Sequence, residues 1–260
     1  MKMDVEIETK ELVNHIKQLL NYELVKDSSY NGLQFEGKGT VRKIVTAVDA
    51  CKQLFDEGKK RNADFAIVHH GMFWKGSEVT NIDGFYREKL SSMLESNMNL
   101  FALHLPLDLH PEFGNNAIIA RLLGVEKVEF FSECHGNKVG AWGKLKKPQK
   151  ITSLLSEIEK KIGKITTHLP FGPDRISKIA VISGGGGFGI SDPEIAEEGI
   201  DLFLTGEVLH QHYFPARERN VHAVGAGHYQ TEVFGVRALG EFLARKFNLK
   251  HEFIEIPTGL

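Results

Sequence analysis

Phe65-Ala66-Ile67-Val68-His69-His70-Gly71 is the stretch from which the rest of the chain can be read. Its four apolar residues predict a short buried strand, and Gly71 marks where the chain turns. Side chains alternate across an extended chain, so His69 and His70 are expected to address two nearby targets rather than one. That pattern points to a two-metal site and asks the rest of the chain for the missing ligands.

Working outward, a strand over 44–48 and a helix over 51–60 precede this stretch. A helix over 85–97 and a strand over 100–104 follow it. The loop 105–111 then leads to a helix carrying Ile118, Ile119, Leu122 and Leu123, which stops at Gly124. Upstream, Thr9 can cap a helix with Leu12, Val13, Ile16, Leu19 and Leu20 on one face, and 28–32 is a turn centred on Asn31-Gly32. Strand and helix in alternation predict a parallel or mostly parallel sheet covered by helices.

The segment 125–169 is less regular, with a strand over 138–145 and an amphipathic helix after Thr152. The earlier pattern then returns: a strand over 179–182 entering the glycine run 184–187, a helix near 192–198, and strands over 201–204 and 221–224. A long helix over 231–247 and a last strand over 251–256 close the chain. Residues 63–70 parallel 200–207 and residues 99–104 parallel 220–225, which reads as an internal duplication. The expected architecture is α/β, with two interlinked, pseudo-duplicated lobes and mixed, mostly parallel sheets. One lobe is expected over 1–125 plus about 231–260 and the other over 126–230.

Composition narrows the function classes. A formal net charge of −2, with no Lys/Arg block, gives no support to nucleic-acid binding. With only Cys51 and Cys134, neither a disulfide framework nor a thiolate zinc site is expected. The charged start, residues 1–11, lacks the apolar core of a signal peptide, and no apolar run reaches the length of a membrane span. The expectation is a reduced, cytoplasmic protein. Twelve histidines, several beside short apolar runs, stand out from this background.

Ligands of open α/β sheets collect beyond the carboxyl ends of the strands. There lie His69 and His70, His104 with Asp108, Glu207, and His228 with Glu232. The last pair is spaced i, i+4 at a helix start, on one face. Imidazoles and carboxylates suit zinc, iron, manganese or nickel, and a carboxylate such as Asp108 or Glu232 can bridge two cations. His104, four residues before Asp108, fits a place beside the site better than a ligand. Gly184, Gly186 and Gly189 match the dinucleotide pattern G-x-G-x-x-G, with Glu207 near the ribose position. They also offer a phosphate loop at a helix start, or simply a tight turn. Trp74 and Lys75 are candidates for framing a substrate by stacking and by phosphate pairing, or for plain packing and a solvated charge.

These motifs resemble a known family. Tyr30-Asn31-Gly32-Leu33-Gln34 with Glu36-Gly37, Val68-His69-His70-Gly71 with Phe73-Trp74-Lys75-Gly76, His104-Leu105-Pro106-Leu107-Asp108, Thr205-Gly206-Glu207, and Gly227-His228-Tyr229 with Glu232 and Gly235 occur in the same order in the GTP cyclohydrolase I type 2 homologs, the Ngg-interacting-factor-three-like proteins. The resemblance runs from about Thr9 to the C-terminus, without the mid-chain domain that some members insert. It implies two interlinked α/β lobes with a dinuclear metal site between them, and ring-shaped homohexamers. It also implies ligands at His69, His70, Asp108, His228 and Glu232 for two divalent ions, and hydrolytic opening of a nucleotide ring such as that of GTP. A metal-binding scaffold or metallochaperone without turnover is the rival from another class. A dinucleotide-dependent oxidoreductase is the third reading.

Overall fold

A computed structural model describes residues 5–77 and 81–260. The first four residues of the segment expected to lack a signal peptide lie outside that range. The chain forms two compact units, Met1–Leu107 with Val236–Ile256, and Asp108–Gly235 with Pro257–Leu260.

The first unit is built on a five-stranded sheet in the order Lys250–Phe253, Lys43–Asp49, Phe65–His70, Asn99–Ala102, Gly32–Phe35. The first four are parallel and Gly32–Phe35 closes the edge antiparallel. Phe65, Ala66, Ile67 and Val68 are all fully buried, as a strand covered on both faces requires. Val45, Ala47, Ala66, Val68 and Leu100 share one core with Leu54 and Phe55 of helix Lys52–Lys60 and Met93 of helix Gly84–Ser96. Phe65, in the alternate register, packs on Phe101, which meets Tyr22 edge-on.

The second unit carries a six-stranded sheet, in the order Glu129–Cys134, Asn137–Lys150, Arg175–Ile182, Leu202–Thr205, His222–Gly225, Thr167–Pro170. Its three consecutive strands from Arg175–Ile182 to His222–Gly225 are parallel, and every other pairing is antiparallel. The region expected to hold one strand over 138–145 therefore contains a hairpin and a further edge strand. The boundary between units falls at Leu107/Asp108 rather than at 125/126. The reason is packing: Ile119, Ala120 and Leu123, on and just after helix Asn115–Leu122, lie in the same core as Ala141, Leu154, Ile179 and Leu202.

Both units repeat one local device. Asp64 accepts the Arg42 and Lys43 amides at 2.9 and 3.0 Å, and its own amide donates to Lys43. Asp201 does the same with Ser177 and Lys178, at 2.6 and 2.9 Å. The duplication expected from 63–70 and 200–207 is therefore carried by the backbone. The third strands match differently from the sequence parallel: Asn99 donates to Asp64 as His222, not Asn220, donates to Asp201. Side-chain similarity had set that strand two residues out of register.

Candidate metal centre

The strand Phe65–His70 delivers two imidazoles at its carboxyl end. His69 is wholly buried, and the Leu103 carbonyl accepts its Nδ1–H at 2.9 Å. His70 is half-buried, with Nδ1 2.9 Å from Asp49 Oδ1 at the end of the neighbouring strand. The two rings lie 4.8 Å apart at 45°, so the pleat does not separate them as expected. His70 is the last residue of its strand, and its ring is turned to Asp49.

His104 completes the group. It sits two residues past strand Asn99–Ala102, with its ring 5.1 Å from His69 and 5.7 Å from His70. Its Nδ1 is 2.8 Å from Asp27 Oδ1. One ligand nitrogen from each of the three rings lies within 4.8 Å of the others. With Nδ1 committed in all three, Nε2 is the atom each ring offers a metal, and a carboxylate or carbonyl behind a histidine is the usual support of a metal ligand. The donor set fits a divalent ion.

Asp27 is the anchor of this corner, its side chain 1% exposed. Besides His104 it accepts the Ser29 amide at 3.1 Å, the Leu105 amide at 2.9 Å and Asn31 Nδ2 at 2.9 Å. Burial pushes its pKa up, but the His104 hydrogen bond and charge, with those of Asn31 and Ser29, hold it well below the usual carboxylate value. Asn31 also accepts the His104 amide at 2.8 Å. Gln34 clamps the turn after the histidines, taking the Met72 amide at 2.7 Å. A Cβ on Gly71 would stand 2.5 Å from Gln34 Oε1 and 2.6 Å from Ala102 Cβ, so close approach requires this glycine. Trp74 stands edge-on to His104 at 5.0 Å. Lys75 is exposed, and its ammonium donates to the Asp27 carbonyl at 2.8 Å, which ties down the turn.

The second unit holds its own donors. Buried Asp108, in the single turn Leu105–Asp108, accepts Asn115 Nδ2 at 2.9 Å and the Ser183 hydroxyl at 3.4 Å. Helix His228–Phe247 starts three residues before its expected position, placing His228 and buried Glu232 on its first turns with Nε2 3.2 Å from Oε2. Glu207 Oε1 holds His228 Nδ1 at 2.6 Å. The Glu232 hydrogen bond, working against burial and helped by the charges of Glu232 and Glu207, raises the His228 pKa to about 9.

The glycine run serves this set sterically. Gly184 has φ +57°, and an added Cβ would overlap Glu232 Oε1 and stand 3.0 Å from His228 Nε2. Gly187 is pressed against His212, and Gly186 and Gly189 against Ile182. The Ser183, Gly184 and Gly186 amides donate to Asn116, Thr231 and Ser183, and the run continues as the 3-10 segment Gly186–Ser191 rather than an α-helix. Neither the phosphate loop nor the dinucleotide fingerprint is supported, and Glu207 serves His228 instead of a ribose. Asp27, Asp49, Asn115 and Ser183 are the site residues sequence reasoning missed. Asp49 lies at the carboxyl end of a strand, and Asp27 opens an Asx turn, so both carried a usable local signal.

Among known proteins, residues 7–259 match the family model Duf34/NIF3 (NGG1p interacting factor 3). The chain is 40% identical to a Pyrococcus abyssi protein named GTP cyclohydrolase 1 type 2 homolog, over 98% of this chain and 100% of that one. It is 42% identical to the Escherichia coli K12 protein of the same name, over 95% and 98%. The solved structure of protein ybgI superposes with a TM-score of 0.89 at 41% identity, covering 98% of this chain and 100% of the other. Reduced HcgD from Methanocaldococcus jannaschii superposes at 0.82 with 26% identity, over 97% and 99%. The chain is a member of the Duf34/NIF3 family.

Proposed function

We propose that this protein holds two divalent ions through His69, His70, Asp108, His228 and Glu232 and is a metal-dependent hydrolase of a nucleotide, of the ring-opening type its relatives' name indicates. The observation that carries the reading is the way the three histidines and Asp108 are held from behind. Leu103, Asp49 and Glu207 take the Nδ1 of His69, His70 and His228, while Asn115 and Ser183 steady Asp108. Purely structural histidines have no need of such consistent presentation of Nε2. Zinc, iron, manganese and nickel all accept this mixture of imidazole and carboxylate.

Bound divalent ions would supply Lewis acidity, making water acidic near neutral pH and stabilising negative charge that develops on a substrate. The chain's own part is to fix the donors before substrate arrives. Glu207 fixes the orientation of the His228 ring, Asp49 does so for His70, and Gly184 leaves room for the Glu232 carboxylate. Trp74, half-buried beside His104, offers the flat surface on which a purine would stack. Self-association as a homohexamer belongs to the same reading.

The test is protein loaded with zinc, manganese or iron and assayed for formate release from GTP. Turnover that Glu232→Ala abolishes is expected. Loaded protein without turnover on any metal would leave a binding protein in place of an enzyme.

A further inference from the structure

We propose that the first unit carries a binding site for a single phosphate group, in a cavity of about 150 Å³ lined by Tyr22, Ser29 and Lys75, with these three side chains as its donors. This site stands apart from the hydrolase reading, since none of the three residues is a proposed metal donor. Asp27 separates the two places: its carboxylate meets His104, while its carbonyl accepts from the Lys75 ammonium at 2.8 Å.

The fold leaves the donors of this cavity unused. Tyr22 is 7% exposed and Ser29 2% exposed, yet neither hydroxyl has a hydrogen-bond partner among the described residues. Hydroxyls placed this deeply are normally paired, because desolvation without a partner is costly. Burial raises the Tyr22 pKa, so the phenol keeps its proton and stays a donor. The Ser29 hydroxyl turns on one rotatable bond toward the cavity that the residue already lines. An ammonium has three N–H bonds and the Asp27 carbonyl takes one, so Lys75 keeps two for a ligand. The Tyr30 ring, with its centroid 5.8 Å from the Lys75 nitrogen, flanks the ammonium on the same wall.

The frame is set before any ligand arrives. The Lys75 amide donates to Ser28 at 2.7 Å and the Tyr30 amide to Phe73 at 3.2 Å, which pins the two segments together. Gly32 has φ +108°, and an added Cβ would stand 3.0 Å from the Tyr22 ring, so this glycine leaves the phenol its place. Charge favours an anion. Glu23, the carboxylate on the cavity wall, is paired with Lys17 at 2.7 Å, and the Asp27 carboxylate is taken up by His104, Asn31 and the amides of Ser29 and Leu105. Lys75 has no ion-pair partner among the described residues, which leaves its charge for the ligand. One ammonium and two hydroxyls address several oxygens at once, as a phosphate offers them, and lysine binds phosphate as a point charge.

Calorimetric titration of the chelator-treated full chain, shown folded by circular dichroism, tests the site with inorganic phosphate and with GMP. Chelation removes bound metal as a competing phosphate ligand. Wild-type protein is expected to bind one phosphate per chain at millimolar concentration. Tyr22→Phe is the informative variant, because the ring keeps its edge-on contact with Phe101 and only the hydroxyl is lost. Tyr22→Phe and Lys75→Met are each expected to weaken phosphate by about tenfold or more, the scale of one hydrogen bond to a charged group. GMP that competes with phosphate makes a phosphate ester the natural source, and GMP that leaves phosphate binding unchanged makes it free phosphate; both outcomes support the site. Wild-type phosphate affinity in Tyr22→Phe and Lys75→Met, or wild-type protein that binds no phosphate, would overturn it while leaving the metal donors untouched.

Discussion

Gly184→Ala isolates the packing of the carboxylate donor in the second unit. The residue has φ +57°, a conformation that costs a residue with a Cβ about 1–2 kcal/mol. The new methyl carbon would also stand 2.9 Å from Glu232 Cδ and overlap its Oε1. Carbon atoms rest about 3.5–4.0 Å apart, so the carboxylate must retreat by roughly 0.6–1 Å. It would then no longer meet His228 Nε2 at 3.2 Å. Gly199 supplies the control, because its φ is +61° and an added Cβ meets nothing within 4 Å. Gly199→Ala therefore carries the backbone cost alone. Urea unfolding of the two variants is expected to show similar backbone losses, with a further loss in Gly184→Ala. In metal titration Gly184→Ala is expected to fall about 10–100-fold in affinity, the scale of a displaced ligand support, while Gly199→Ala matches wild type. Equal metal affinity in all three proteins would refute the steric account of the glycine run.

Two further predictions concern pH and assembly. Burial lowers the pKa values of His168, His212 and His251, so their contribution to stability is present above the unfolded value of 6.5 and is lost as pH falls below it. His228 runs the other way: raised to about 9 from 6.5, it contributes below 6.5 and fades as pH rises through 9. Metal-free protein is expected to be most stable near neutrality, with His228→Ala flattening the alkaline decline; an unchanged alkaline limb in that variant contradicts the assignment. For assembly, light scattering is expected to give six times the 29.1 kDa chain mass, and a monomer at micromolar concentration would remove the homohexamer from the proposal.

The part of the fold that was legible came from residues whose burial is total. The run from Phe65 to Val68 can only be a strand covered on both faces, and the strands after Ile44 and Ile179 follow the same logic. The hairpin Glu129–Cys134 with Asn137–Lys150 was harder, because its exposed face is rich in lysine and glutamate and its long strand ends in Lys-Lys-Pro-Gln-Lys. Among the site residues, tandem histidines at a strand end and His228 with Glu232 at helical spacing were visible from local pattern. Asp27 carried the local signal of an Asx turn, but its pairing with His104, 77 residues away, is made only by the fold. The glycine run misled for the opposite reason. Its match to a nucleotide pattern is cheap in any glycine-rich stretch, whereas its actual neighbours, Glu232, His212 and Ile182, are tertiary. Helix Asn115–Leu122 followed the first strands in sequence yet joined the second unit, where Ile119 and Ala120 find their core.

Metal donors proposed in both units make anomalous scattering from crystals of the zinc-loaded protein the decisive measurement. Two anomalous peaks per chain are expected, one or both lost in His69→Ala and in Glu232→Ala, with elemental analysis falling from about two ions per chain in step. Peaks that survive both substitutions, or wild-type protein that takes up no zinc, would contradict that proposal.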